Sequence, residues 1–257
     1  THPHLPPFGI EQAQLRRTQV PPAEGLDPAR RRLGQLHSRR QVRCGIAIGC
    51  GMAPELADVD PYYAALAGMD EALRNVVSVG GRPDNAAVLD NFCMGRCDTP
   101  ARMGALVRMC QACHDGALAY GVPFVSGKDS LNNEFALHAE DAAPLVALLA
   151  ERDWATAEAR QEIAERGRVR IPDTLLISAI AIVRDVRHCV TPDLKQAGAE
   201  VLLVPGLDPD GFDPRRAAEI HRQVADAIAD GVVSACHDVS TEGWAVSLAE
   251  MALGGLR

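Results

Sequence analysis

Short apolar runs alternate along this chain with longer helical stretches, and that alternation fixes the fold class before any single residue is considered. Runs from Cys44 to Gly49, Ala86 to Leu89, Pro123 to Ser126, Leu175 to Val183, Glu200 to Pro205 and Val232 to Cys236 have the length of buried strands. Helical stretches separate them, at about Tyr62 to Val79, Ala101 to Tyr120, residues 137–168, Pro214 to Asp230 and Glu242 to Leu253. Gly80-Gly81 and Pro83 stop the first helix and Gly121 stops the second. Strands alternating with helices predict an α/β (α+β) fold. Hydrophobic residues make up 47% of the 257 and aromatics only 4%, so the core must be aliphatic.

Residues 1–40 are rich in Pro, Arg and Gln and read as a linker, with a short helix around Pro28–Leu36. Arg30, Arg31, Arg32, Arg39 and Arg40 read as a solvated face. A new unit opens near Val190. The net charge of -8 argues against nucleic acid as a partner. No apolar run approaches the roughly 18 residues of a membrane span. The eight cysteines are spread without a disulfide-framework spacing and read as reduced thiols of a cytoplasmic protein. The start at Thr1 and the stop at Arg257, directly after a helical run, suggest a piece of a longer chain.

The first helix gives the clearest positional argument. At 100° per residue, Glu71 and Asn75 lie together, opposite the stripe Leu66, Met69, Leu73, Val76 and Val77. Their neighbours on that face are Ala64, Ala67, Gly68 and Ser78, all small. A carboxylate and an amide oxygen among small residues suit a hard cation such as Mg2+. The same pattern also suits a helix–helix contact with a buried hydrogen bond. Asp90 and Gly127-Lys128-Asp129-Ser130 each follow an apolar run, where ligands of α/β proteins gather. There Gly127 would admit a phosphate, Lys128 offset its charge, Asp129 hold a metal and Ser130 donate to oxygen. A turn capped by Asp129 would look the same, and the spacing is not that of a phosphate-binding P-loop. His237-Asp238-Val239-Ser240 repeats the carboxylate–hydroxyl pattern after another run. Cys110 and Cys113 read as core residues of the second helix.

Several segments then stand together: Asp60-Pro-Tyr, Asp70-Glu-Ala-Leu-Arg-Asn-Val-Val-Ser-Val-Gly-Gly, Leu89-Asp-Asn-Phe, Val125-Ser-Gly-Lys-Asp-Ser-Leu-Asn-Asn-Glu, Leu176-Ile-Ser-Ala and Ala235-Cys-His-Asp-Val-Ser. In this order and spacing, from about residue 42 to 255, they resemble phosphoribosylformylglycinamidine synthase. The resemblance is to the second of that enzyme's two tandem copies of a unit shared with aminoimidazole ribonucleotide synthetase. It implies a first α/β domain at residues 41–189, with a helical insertion at 137–168, whose sheet forms half of a barrel. Residues 190–257 would be an incomplete second α/β domain.

The resemblance also implies chemistry. The enzyme uses ATP to activate the formamide oxygen of formylglycinamide ribonucleotide as an iminophosphate, and ammonia from a glutamine amidotransferase unit displaces the phosphate. The positions of Asp90 and Gly127 contact ATP, and that of Ser130 contacts substrate. The positions of Glu71, Asn75 and Asp238 ligate the Mg2+ of a second, auxiliary nucleotide (ATP or ADP), which Ser240 touches. The first synthetase-like copy, the amidotransferase and a second half barrel are the implied partners. No general base is assigned, because the family's catalytic histidine belongs to the first copy. There are departures. Small members of the family carry an Mg2+-ligating Asn where Lys128 stands. Either Asp129 takes its place or the metal arrangement differs. The stretch Gln35-Leu-His-Ser-Arg-Arg-Gln-Val lacks a carboxylate expected upstream of the first strand. A non-catalytic, nucleotide-holding half is the alternative within the family. A selenophosphate or thiamine-phosphate kinase-like enzyme is the alternative outside it.

Overall fold

The computed structural model describes residues 43–204 and 212–255. The linker read at residues 1–40 lies outside the described residues. The elements in chain order are β1 (Gly45–Gly51), α1 (Pro54–Ala57), α2 (Pro61–Ser78), β2 (Ala86–Cys93), α3 (Pro100–Tyr120), β3 (Phe124–Ser130) and β4 (Glu134–Ala136). They continue with α4 (Ala139–Arg152), α5 (Ala157–Arg166), β5 (Arg168–Arg170), β6 (Thr174–Val183), α6 (Pro214–Ala229) and α7 (Trp244–Gly255).

Local chemistry sets the two long helices. Asp60 caps α2 by accepting from the amides of Tyr62 and Tyr63 at 3.0 and 3.2 Å, with Pro61 in the first turn. Thr99 caps α3 through the amide of Arg102, with Pro100 following it. Gly121 ends α3 at φ 72°, a left-handed conformation that glycine adopts without strain.

Four strands form one open sheet in the order β1-β6-β2-β3. β6 runs antiparallel to both neighbours, and β2 pairs parallel with β3 across the α3 crossover. Strand alternation decides the two faces. Leu175, Ile177, Ala179, Ala181 and Val183 of β6 are buried under the helices. The opposite face stays open, and there Ile46 pairs with Ile182 and Ile48 with Ile180. α2 and α3 pack on the covered face, and α6 packs on both of them. Burying one such Leu or Ile side chain contributes roughly 1.5–3 kcal/mol.

The closest contact in the fold is between α2 and β1. A Cβ placed on Gly51 would lie 2.2 Å from the Gly68 carbonyl oxygen and 2.5 Å from the Ala72 nitrogen. One on Gly49 would lie 2.5 Å from the Ala72 carbonyl oxygen. The helix backbone therefore rests on the strand backbone, and Gly68 of the small face belongs to this approach.

Several expectations need correction. β2 continues through Asp90-Asn91-Phe92-Cys93, and β3 contains Gly127-Lys128-Asp129-Ser130, so neither stretch is a loop. Ladder pairing with β6 and β3 overrides the weak strand propensity of Asp, Asn and Gly. The helical stretch at residues 137–168 is present, as the two helices α4 and α5 between the strands of a short β4–β5 pair. The strands expected at 200–205 and 232–236 do not form among the described residues. There Val201, Leu202, Leu203 and Val204 are exposed, and only Thr191 and Ala235 form a bridge. With no ladder to join, apolar β-branched residues do not make a strand. Cys113 is buried but Cys110 is exposed, so only one of the pair is core.

The α2–β1 contact makes a direct prediction. Gly51→Ala should lower stability by about 1–3 kcal/mol in urea denaturation, because backbone atoms on both sides must move. Gly104→Ala, in α3 with nothing within 4 Å of the new methyl, should raise it by about 0.4–1 kcal/mol.

Candidate functional site

The close seating of α2 delivers Glu71 and Asn75 to the end of β1. Glu71 Oε2 accepts from the Met52 amide at 2.9 Å, and Asn75 Nδ2 donates to the Cys50 carbonyl at 2.9 Å. The helix face does make hydrogen bonds to a packed neighbour, but that neighbour is a strand and the bonds are exposed and half-buried. The amide oxygen of Asn75 remains the donor atom that could meet a cation.

The turn before α7 meets this helix face. Ser240 donates to Asp238 Oδ2, and the pair lies close enough to Glu71 to act on its ionisation. The segment itself is tied to this helix where Arg74 donates to the Val239 carbonyl. Asp238 is 9% exposed. Ser247 holds its carbonyl at 3.0 Å, and His237 Nδ1 lies 3.2 Å from its Oδ1. His237 Nε2 is 3.1 Å from Glu250.

The two carboxylates differ electrostatically. Burial pushes the Glu71 carboxyl above its usual range, and the Asp238 charge adds to the rise. Burial also opposes ionisation of Asp238, but hydrogen bonds from His237 and Ser240 outweigh it and hold that carboxyl low. Two acids facing one space, one reluctant to ionise beside the other, is an arrangement that a divalent cation would relieve. Among the described residues no three His, Cys, Asp or Glu side chains form a metal cluster. Asn75 would have to complete a set with Glu71 and Asp238. The donor chemistry, all hard oxygen, fits Mg2+.

The second group lies across the sheet. Register places Gly51, Ile177, Asp90 and Gly127 in one transverse row. Asp90 is therefore two strands from the end of β1, about 10 Å at normal strand spacing. Asp90 Oδ1 accepts from the Lys128 amide at 3.1 Å. A Cβ on Gly127 would lie 1.9 Å from that same oxygen, so the carboxylate occupies the place of a side chain. Burial, with help from the Asp129 charge, raises the Asp90 carboxyl. Alternation puts Asp90 and Asp129 towards the helices and Lys128 and Ser130 on the open face. Lys128 Nζ there reaches Asn91 Oδ1 at 3.2 Å and Ser130 Oγ at 2.5 Å. The Gly-Lys-Asp-Ser segment is thus divided between two faces and does not act as one cradle. A groove of about 820 Å³ lined by Tyr62, Arg108, Cys110 and His114, among others, contains none of these residues. Desolvation pushes the thiol of Cys113 up to about 12, so it remains protonated.

One residue escaped the sequence reading. Arg74 joins Asp70 to the Val239 carbonyl, between Asp238 and Ser240. The available signal was an acid in the apolar stripe with an arginine four positions on.

Comparison with known proteins agrees with this architecture. The model of the AIR synthase related protein, N-terminal domain, matches residues 41–150. Those residues are similar to that domain. A Rhodospirillum rubrum phosphoribosylformylglycinamidine synthase subunit PurL is 28% identical over 234 residues, 82% of this chain and 27% of the relative. The Thermococcus gammatolerans protein of the same name is 30% identical over 215 residues, again 82% and 27%. The chain therefore spans about a quarter of the length of these relatives. Thermotoga maritima PurL complexed with ADP superposes with a TM-score of 0.54 at 17% identity, covering 82% of this chain and 29% of that one. That likeness establishes a shared fold. The AIR synthase related domain stops short of β6, which completes the sheet between β1 and β2. Among the described residues the sheet is open and no helix is long and apolar enough to cross a membrane.

The raised Glu71 carboxyl gives a pH prediction. Its folded value lies above its unfolded one, so its contribution to stability is full at acid pH and is lost as pH rises through the folded value. Glu71→Gln should therefore melt at a higher temperature than the wild type at pH 7 without metal. The gap should close as pH falls below the ordinary glutamate range. An equal gap at both ends would contradict the assignment.

Proposed function

We propose that this chain is a nucleotide-holding synthetase-like unit of phosphoribosylformylglycinamidine synthase. That enzyme is the ATP-dependent ligase converting formylglycinamide ribonucleotide and glutamine-derived ammonia into the amidine in purine synthesis. Residues 41–189 would be its first domain and 190–257 part of its second. The observation that carries the reading is the approach of the Asp238–Ser240 segment to the helix that carries Glu71 and Asn75, tied where Arg74 donates to the Val239 carbonyl. Their role as a magnesium–nucleotide site is supported by oxygen-only chemistry and by the names of the relatives. In this reading Glu71, Asn75 and Asp238 hold Mg2+, which neutralises phosphate charge, and Ser240 donates to the nucleotide. Asp90 and Gly127 form a second nucleotide contact, with Lys128 and Ser130 on the open face towards substrate. Asp129 lies on the other face, beside Asp90.

The open sheet face supports a partnered state. Ile46, Ile48 and Ile182 are each more than 40% exposed. A paired isoleucine surface of this kind is suited to another sheet, from the first synthetase-like half or from a second copy. A neighbour of the same fold, solved as PurLQS from Thermotoga maritima, has a TM-score of 0.54. An amidotransferase unit that supplies ammonia completes the proposed assembly.

The test is isothermal titration of the chain with ADP in the presence and absence of Mg2+. Wild type should bind with Mg2+, and Asp238→Asn should weaken binding on the order of tenfold to 100-fold. A folded wild type that gives no heat with Mg2+ and ADP would sink the proposal. In the assembled enzyme, Asp90→Ala separates the two roles within the family. Lost turnover with normal assembly marks a catalytic half, and lost stability with normal turnover marks a nucleotide-holding scaffold.

A further inference from the structure

A buried polar cluster at the junction of α2, α3 and α6 has no part in the site residues above. Asp70 is 4% exposed and His221 is 5% exposed. Asp70 Oδ1 accepts from the Tyr120 hydroxyl at 2.7 Å and lies 3.2 Å from His221 Nε2. Its other oxygen takes Arg74 Nε at 2.6 Å. His221 stacks on Tyr120 with ring centroids 5.7 Å apart, and His221 Nδ1 is buried without a hydrogen-bond partner.

A buried carboxylate needs several partners, and here three helices supply them. The result is a fixed acceptor for one arm of Arg74. Guanidinium is planar and rigid, so anchoring Nε sets the direction of Nη1. Nη1 donates to the Val239 carbonyl, in the turn that carries Asp238 and Ser240. The position of that turn against Glu71 is thus tied, through one planar group, to side chains that do not line the site.

We propose that Asp70, Tyr120 and His221 form a buried strut that orients Arg74, and that Arg74 sets the distance of the Asp238–Ser240 turn from Glu71. These are positioning residues, and the inference rests on the magnesium–nucleotide reading of that turn. The cluster spans both units: α6 brings His221, and α3 brings Tyr120. Seating of the second unit on the first is therefore transmitted to the geometry of the carboxylate pair. The charge of Arg74 acts on the same pair, since it favours ionisation of both Glu71 and Asp238.

The test uses the whole chain and two mild variants. Arg74→Lys keeps the charge but cannot serve Asp70 and Val239 together. Tyr120→Phe keeps the ring and removes one bond to Asp70. Amide hydrogen exchange is followed without metal or nucleotide, and Mn2+–ADP binding is followed by electron paramagnetic resonance. In Arg74→Lys, residues 238–247 should exchange about tenfold faster while β2 and β6 keep wild-type rates. Tyr120→Phe should change the same segment in the same direction, less strongly. Mn2+–ADP should bind about tenfold more weakly to Arg74→Lys. Wild-type exchange of 238–247 in both variants overturns the strut. Equal acceleration through β2 and β6 also overturns it, by assigning the cluster to general stability. If wild type binds no Mn2+–ADP, the nucleotide reading fails and the exchange data alone decide the strut.

Discussion

The rest of the structure depends on how closely α2 lies on β1. Ordinary helix-on-sheet packing leaves room for a layer of side chains. Here Gly49 and Gly51 remove that layer, and helix backbone meets strand backbone. Only at this separation can Glu71 reach the Met52 amide and Asn75 the Cys50 carbonyl. The helix is also packed by α3 and α6, with Leu66 and Met69 meeting α3 at Gly116. Polar groups at the strand end are therefore positioned by apolar packing on the opposite face of the same helix.

Much of this was legible in the sequence. Signals such as Asp60-Pro61 before the first helix and Gly121 after the second marked the helices, because each satisfies a local backbone need. The face of Glu71 and Asn75 followed from periodicity alone. Its small neighbours carried two meanings, close packing or a ligand, and nothing local separates them. Strand ends were less legible. Asp90, Asn91, Gly127 and Lys128 have turn chemistry, yet hydrogen-bond ladders on neighbouring strands keep them extended. The converse holds at Val201–Val204, where strand-like residues lack a ladder. Both failures have one cause: sheet structure is decided by partners distant in sequence.

The candidate site was partly visible for the same reason. The motif around Asp238 and that around Glu71 could each be singled out, and their meeting could be expected only from the resemblance. Arg74 left one sequence signal, Asp70 four positions before it, but its other partner is a backbone carbonyl, which leaves no mark on composition. The cluster of Asp70, Tyr120 and His221 shows the general limit. A carboxylate inside an apolar stripe is an anomaly that sequence can reveal, but its neighbours come from three helices.

The pairing of Asp90 with Gly127 has an evolutionary consequence. One volume between the two strands accommodates a single side chain, and the aspartate fills it. Any lineage that gains a methyl group at position 127 must first shrink or reorient the residue at 90, so the order of change is fixed. The constraint runs one way: position 90 can lose its carboxylate alone, whereas a side chain at 127 needs that carboxylate to turn or shorten first.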